Sequence, residues 1–241
     1  MASAQAARIG VLSPATPNRP HFKSLDDILP AGVSIVHEGL GLLGESYQYV
    51  IGKTDRVIEL AKNFVARHDV RGLMVTGGFV TLFNPGREMK VAEATGLAVA
   101  AAVPSAVAAL NAYHAKSVLL MTPFDAESDG VIKTHLQTLG FTVSLGPSFE
   151  SRKAGSALNL ERAELFKLVE TTYRAGPGAD AIYFQGATMD PLPIIQQLET
   201  ELTVPVITSN SAMIWNLLAK LGLKYSVKGY GKLLAHWPAC G

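Results

Sequence analysis

Cysteine is almost absent: one residue, Cys240, in a chain of 241. A single thiol excludes an internal disulfide framework and a cysteine-based zinc site. Charge is sparse as well. Only 17% of residues are charged and the net charge is +1, so no electrostatic footprint for nucleic acid or a membrane surface is expected. Long apolar runs are missing too. The longest, Leu97–Val103 and on through Ala109, is Ala-rich and broken by Pro104 and Ser105, too short to span a bilayer. The opening Met-Ala-Ser-Ala-Gln-Ala-Ala-Arg has no apolar core of a secretory signal, so a cytoplasmic location is the expectation. The histidines His37, His114, His135 and His236 are scattered, and no His/Asp/Glu set has metal-ligand spacing, so no metal is expected.

What is present is enough apolar residue, 48%, for a substantial core in one large or two small domains. Strand-length apolar runs alternate with helical patterns. Strands are predicted at Arg8–Leu12, Val33–His37, Leu73–Thr76 and Ala98–Val103, then at Ser117–Met121, Phe141–Leu145, Ala181–Phe184 and Val204–Thr208. A helix with Val57, Leu60, Ala61, Phe64 and Val65 on one face precedes the third strand. Others are predicted over Arg87–Ala94, from Pro104 to about His114, and over Ala126–Leu139. Further helices start after a cap at Asn159, near Pro191 and after a cap at Ser211. Regular β–α alternation implies parallel sheets with helices on both faces. The reading is two α/β lobes, residues 1–115 plus 213–241 and residues 116–212, with the C-terminal helix returning to the first.

Two segments run from a buried strand into a small-residue loop at corresponding places in the two halves. They are Leu73-Met74-Val75-Thr76-Gly77-Gly78 and Ala181-Ile182-Tyr183-Phe184-Gln185-Gly186-Ala187-Thr188. Such strand ends bring backbone N–H groups up to an anion. The pattern Gly39-x-Gly41-x-x-Gly44 matches a dinucleotide fingerprint, but it follows the second strand, and no acidic residue ends the next one at Thr76-Gly77. It is read as a loop.

With these motifs in place, the chain resembles the aspartate/glutamate racemase superfamily, and within it the arylmalonate decarboxylase and maleate isomerase branch. The resemblance rests on Ile9-Gly10-Val11-Leu12-Ser13-Pro14, Gly39-Leu40-Gly41-Leu42, Thr76-Gly77-Gly78, Ala94-Thr95-Gly96-Leu97, Thr122-Pro123-Phe124, Val204-Pro205-Val206-Ile207-Thr208-Ser209 and Gly229-Tyr230-Gly231. It implies two pseudo-symmetric Rossmann-like lobes, each with a mainly parallel sheet and with the active site between them, and no organic cofactor or metal. Racemases and maleate isomerases use a cysteine from each lobe, and the decarboxylase only the second. Here the first position is Gly77 or Gly78 and the second Gln185 or Gly186. The position of a tyrosine used by the decarboxylase looks like Phe124. None of these residues can act as a thiolate acid/base.

Each candidate site residue has a plain structural alternative. Backbone near Gly77, Gly78 and Phe79, and near Gly186, Ala187 and Thr188, with the Thr76, Thr81 and Thr188 hydroxyls, would form an oxyanion-type pocket; glycines at strand ends also simply permit tight turns. Pro14 and Asn18 lie in the first loop, where Asn18 is a substrate contact or a turn residue, and His21 is a surface residue or an acid/base. Ser209, Asn210 and Ser211 cap the last helix or donate to a ligand. Gln185 can orient a substrate but cannot shuttle a proton. Asp190 is a cleft carboxylate or a helix cap; Asp125 is read as a cap. Glu38 and Glu45 are the remaining candidate bases.

The expected function is a cofactor-independent lyase, decarboxylase-like, or an isomerase acting on a small carboxylic acid, with Gln185 and Asp190 as its catalytic side chains. The alternative is a non-catalytic carboxylate-binding or sensing protein on the same scaffold. No nucleic acid or membrane partner is expected, and a homo-oligomer is left open. Because neither strand-end loop carries a cysteine, thiol alkylation or Cys240→Ser is expected to leave turnover intact; complete loss of rate in either sample would relocate the site.

Overall fold

The computed structural model describes residues 7–14, 23–42, 47–149, 160–186 and 189–240, with the backbone alone described at Lys23, Ser24, Tyr47 and Gln48. The chain divides into two compact units, residues 1–105 with 213–224, and residues 106–212 with 225–241.

The first unit holds a four-stranded parallel sheet in the order β2-β1-β3-β4, from β1 (Ala7–Ser13), β2 (Val33–Gly39), β3 (Gly72–Val75) and β4 (Ala98–Ala101). Six of the seven β1 residues are buried, as expected of a central strand covered on both faces. A short helix α1 (Lys23–Asp27) precedes β2, and α2 (Thr54–Arg67) precedes β3. Helix α2 buries Val57, Ala61 and Phe64, the i, i+4, i+7 stripe its sequence predicts. Phe64 is fully buried in a cluster with Leu12, Leu73, Val75 and Val99. Gly10 makes room for this ring: a Cβ there would stand 2.5 Å from Phe64 Cε1 and 2.7 Å from Leu73 Cδ2. Helices α3 (Gly78–Leu82), α4 (Arg87–Thr95) and α5 (Ala102–Ala112) follow, the last starting directly where β4 ends.

The second unit repeats the plan. Strands β5 (Ser117–Met121), β6 (Thr142–Leu145), β7 (Ala181–Phe184) and β8 (Val206–Thr208) form a parallel sheet in the order β6-β5-β7-β8. Helices α6 (Ala126–Thr138), α7 (Arg162–Ala175), α8 (Ile195–Leu202), α9 (Ser209–Lys220) and α10 (Lys232–His236) complete the order of elements. Substituting β5 to β8 for β1 to β4 gives the same strand order, so the two halves share one topology.

Three local expectations are revised. Asn159 lies outside the described residues, and α7 begins after Glu161, whose N–H is accepted by Glu164 at 3.0 Å. Ser211 sits inside α9; Thr208 Oγ1 accepts its N–H at 3.0 Å and does the capping. The strand end at Thr76-Gly77-Gly78 is shorter than expected, because Gly78 already opens α3.

Helix α9 packs on the first unit: Leu217 lies where a Gly72 Cβ would stand, and Lys220 Nζ donates to Val99 O at 2.7 Å. Residues 225–241, assigned to the first lobe from sequence, instead group with the second unit. Glu199 ties them there. Its buried carboxylate accepts the Val206 N–H at 2.9 Å and the Lys232 N–H at 2.6 Å, with Gly231 seated against Ile195 and Glu199. Burial pushes the Glu199 carboxyl up from its ordinary value. A group raised on folding favours the fold on the acid side, and that contribution is lost as pH climbs through the raised value. Glu199→Ala leaves two backbone donors without an acceptor and is expected to cost about 2–4 kcal/mol. Denaturant unfolding checks this, and a cost under about 0.5 kcal/mol would mean the segment is held by something else.

Candidate functional site

The carboxyl ends of the central strands are built alike in the two units. In the first, β1 leads into buried Pro14 and β3 into buried Thr76. The Thr76 N–H donates to Leu12 O at 2.9 Å, extending the ladder one residue. Gly77 then takes φ +92°, and a Cβ on it would lie 2.8 Å from both Pro14 Cγ and Val80 Cγ2. In the second, β5 leads into Pro123 and β7 into Gln185, whose N–H donates to Met121 O at 2.9 Å. Gly186 takes φ +117°, and its Cβ would lie 2.7 Å from Pro123 Cδ and 3.0 Å from Phe124 Cζ. Only glycine meets both demands, a left-handed backbone and no Cβ. The repeat pairs Thr76 with Gln185, Gly77 with Gly186 and Gly78 with Ala187.

Gln185 is 2% exposed, although it stands at the end of a strand. Its Oε1 accepts the Ser209 hydroxyl at 2.7 Å and also the Tyr183 hydroxyl. Tyr183 is fully buried, and burial pushes its phenol well up, so it is a neutral donor at ordinary pH. With both hydroxyls spent on Oε1, the amide's remaining capacity is the two N–H bonds of Nε2. Ser209 thus does not offer its proton to a ligand, contrary to the expectation for that residue. Tyr183, inside an apolar strand, gave no sequence signal beyond its place two residues before Gln185.

A second buried set fixes the turn against Gly186. Asp129 accepts the Thr122 hydroxyl and, at 2.9 Å, the Ser148 hydroxyl, while Thr122 Oγ1 accepts the Phe124 N–H at 3.1 Å. Burial raises the Asp129 carboxyl, and the two hydroxyl donors oppose that rise. Sequence reasoning passed over Asp129, which sits in a helix first turn among acidic residues that cap; Asp125 beside it does cap, accepting the Ser128 N–H at 2.9 Å.

A depression at the end of β7 and β8 is lined by Phe184, Gly186, Asp190, Ser209 and Asn210 among others. Asp190 is exposed there, and its Oδ1 accepts the Leu192 N–H at 3.2 Å. Around Gly77, Phe79 is buried and stacks on Phe83 with ring centroids 5.8 Å apart. The Thr81 hydroxyl donates to Gly77 O at 3.4 Å, turning it to the helix backbone instead of a ligand. Glu38, a candidate base, is held by Arg67 Nη2 at 3.0 and 2.8 Å. Asn18, His21, Glu45, Ala187 and Thr188 lie outside the described residues. Among the described residues no group of three or more His, Cys, Asp or Glu side chains could hold a metal ion. No helix among them is long and apolar enough to cross a membrane.

Twin parallel sheets with strand order 2-1-3-4, each with a glycine at the exit of its third strand, define an α/β protein built on a repeated half. The chain belongs to the arylmalonate decarboxylase family, whose model matches residues 11–234. A search of curated proteins gave no match. Solved structures share the fold. Unliganded arylmalonate decarboxylase is 21% identical with a TM-score of 0.78, covering 95% of this chain and 99% of that one. The maleate isomerase of Pseudomonas putida with maleate is 18% identical with a TM-score of 0.81, covering 96% and 98%. A Nocardia farcinica maleate cis-trans isomerase variant with a covalently bound succinylcysteine intermediate is 21% identical with a TM-score of 0.80, covering 96% and 99%.

Gly186→Ala is expected to lower the unfolding free energy by about 1–3 kcal/mol, because the added methyl meets Pro123 in a backbone conformation that disfavours it. Thermal or urea unfolding measures this. An unchanged midpoint would show that the turn relaxes at no cost.

Proposed function

We propose that the protein is a cofactor-independent decarboxylase of small carboxylic acids that works without a cysteine acid/base. The observation that carries this reading is the pair of strand ends: one presents Thr76 and the other an amide, Gln185, whose acceptor oxygen is already occupied. Neither residue can take a proton from carbon near neutral pH. Loss of CO₂ requires no such abstraction. The C–C bonding pair passes to the α-carbon and on to the carboxylate that remains, giving an enediolate. That charge is stabilised by N–H and hydroxyl donors held in place before reaction. In this reading the Gln185 Nε2–H, the Thr76 hydroxyl and the backbone at Gly77, Gly78, Phe79, Gly186, Ala187 and Thr188 supply the donors. Pro14, Asn18, Phe124 and Ser209 shape the surroundings. Asp190, exposed beside Gly186 and Ser209, relays a proton from water to the α-carbon. An isomerisation that removes a proton from the α-carbon and returns it would demand a base as well as an acid and fits the same residues less well.

That neither Thr76 nor Gln185 can take up a proton supports a second reading as well, a carboxylate-binding protein without turnover. Phenylmalonate, a simple arylmalonate, separates the two. Carbon-13 NMR is expected to show release of CO₂ and formation of the monocarboxylate, with one deuteron at the α-carbon in D₂O. Asp190→Asn should lower kcat by about 10²–10⁴ with KM little changed, and Gln185→Leu should raise KM and lower kcat together. Binding of phenylmalonate without CO₂ release would favour the second reading, and absence of binding would sink both. Racemisation of aspartate or glutamate is expected to be undetectable; α-deuterium exchange into either amino acid at an enzymatic rate would contradict the assignment.

A further inference from the structure

The first unit contains a side chain that the proposed chemistry does not use. Arg87, the first residue of α4, is 0% exposed and one of the largest fully buried side chains in the protein. None of its guanidinium nitrogens, Nε, Nη1 or Nη2, has a hydrogen-bond acceptor in the protein. A guanidinium removed from water with no acceptor is among the costliest arrangements a fold can keep. Burial lowers its pKa only to about 10, so the group is still a cation at neutral pH.

The adjacent acid gives it no hydrogen bond. Glu88 raises the Arg87 pKa through space, yet its buried Oε2 also lacks a hydrogen-bond partner. Neighbouring residues on a helix point in directions that keep their side chains from facing each other. The surrounding backbone is pinned by other contacts: Asn84 Nδ2 donates to Val50 O at 2.8 Å and to Val80 O at 3.0 Å, and the Arg87 N–H donates to Asn84 O at 3.2 Å. Gly86 at the N-cap contributes no side-chain hydrogen bond to the first turn of α4, whose acidic residue is Glu88. The buried guanidinium, with all three of its nitrogens unpartnered, calls for an acceptor that the protein does not supply.

We propose that Arg87 is the centre of a second, anion-binding site in the first unit, and that its ligand is the carboxylate of a small organic acid. The fork of parallel N–H bonds matches the two oxygens of a planar carboxylate better than a spherical or tetrahedral anion. Because the group is fully enclosed, the anion enters by local opening of the unit, and exchange is slower than at an open cleft. The site goes beyond the proposed decarboxylation and does not depend on it.

The test compares the full-length protein with Arg87→Met, which keeps the length of the side chain and removes the charge, and with Arg87→Lys, which keeps the charge and removes the fork. Thermal unfolding and calorimetric titration are followed with acetate, phosphate and chloride at matched ionic strength. Acetate is expected to raise the wild-type melting temperature more than phosphate or chloride does. Arg87→Met should be at least as stable as wild type without acetate and show no acetate-dependent rise, and Arg87→Lys should bind acetate on the order of tenfold more weakly. An equal response to all three anions would leave a general anion site and overturn the carboxylate assignment. A wild type indifferent to every anion, an acetate response retained in Arg87→Met, or a marked loss of stability in Arg87→Met would show that the guanidinium is satisfied within the chain and end the proposal. Phenylmalonate turnover in the wild type is scored separately, so failure here leaves the decarboxylase reading untouched.

Discussion

The contact between a strand-exit glycine and the proline that follows the neighbouring strand sets the shape of both halves. Gly77 sits under Pro14, and Gly186 under Pro123 and Phe124. Each proline fixes its own φ and closes the space above the next strand exit, and each glycine then turns through a conformation that a side chain would oppose. The chain can leave β3 and β7 only in one direction. Most of the residues invoked for the proposed reaction lie within a few residues of these two turns or of the prolines that face them. That is why the proposed chemistry centres on the side chains just before them, Thr76 and Gln185.

The two ends are alike in backbone but unlike in support. Thr76 is followed by a helix that begins at once, and the Thr81 hydroxyl is drawn back onto Gly77 O. Gln185 rests on a buried polar network, with Tyr183 and Ser209 below it and the Asp129, Thr122 and Ser148 set bracing the neighbouring turn. Satisfied networks of this kind hold a side chain in one orientation, because any other would leave a buried polar atom unpaired. A neutral amide locked in this way suits a step in which charge has to be stabilised and no proton has to be moved.

Much of the fold was legible because its strands are short apolar runs separated by amphipathic helices, and the two strand-exit loops stood out by their small residues. Three kinds of feature were not. Helix α3 begins inside what reads as a glycine loop, since glycine at a helix start carries no propensity signal of its own. Tyr183 and Asp129 act through partners distant in sequence, at positions where an apolar strand and an acidic first turn are the ordinary readings. The placement of residues 225–241 depends on the Glu199 carboxylate meeting two backbone donors, which no periodicity encodes. Arg87 is the sharpest case. In sequence it is a surface residue opening a polar helix, and only its burial sets it apart.

The chain passes from one unit to the other after residue 105, after 212 and after 224. During synthesis the first unit therefore has its four strands early but lacks α9, whose Leu217 and Lys220 pack against β3 and β4, until translation has passed Lys220. The second unit likewise waits for the segment held by Glu199. The first unit is complete only once residue 224 has been made, and the second only at the end of the chain, so both stay unfinished through most of synthesis. A gene split between the two sheets would leave the second unit whole and deprive the first of α9, a part of its own core.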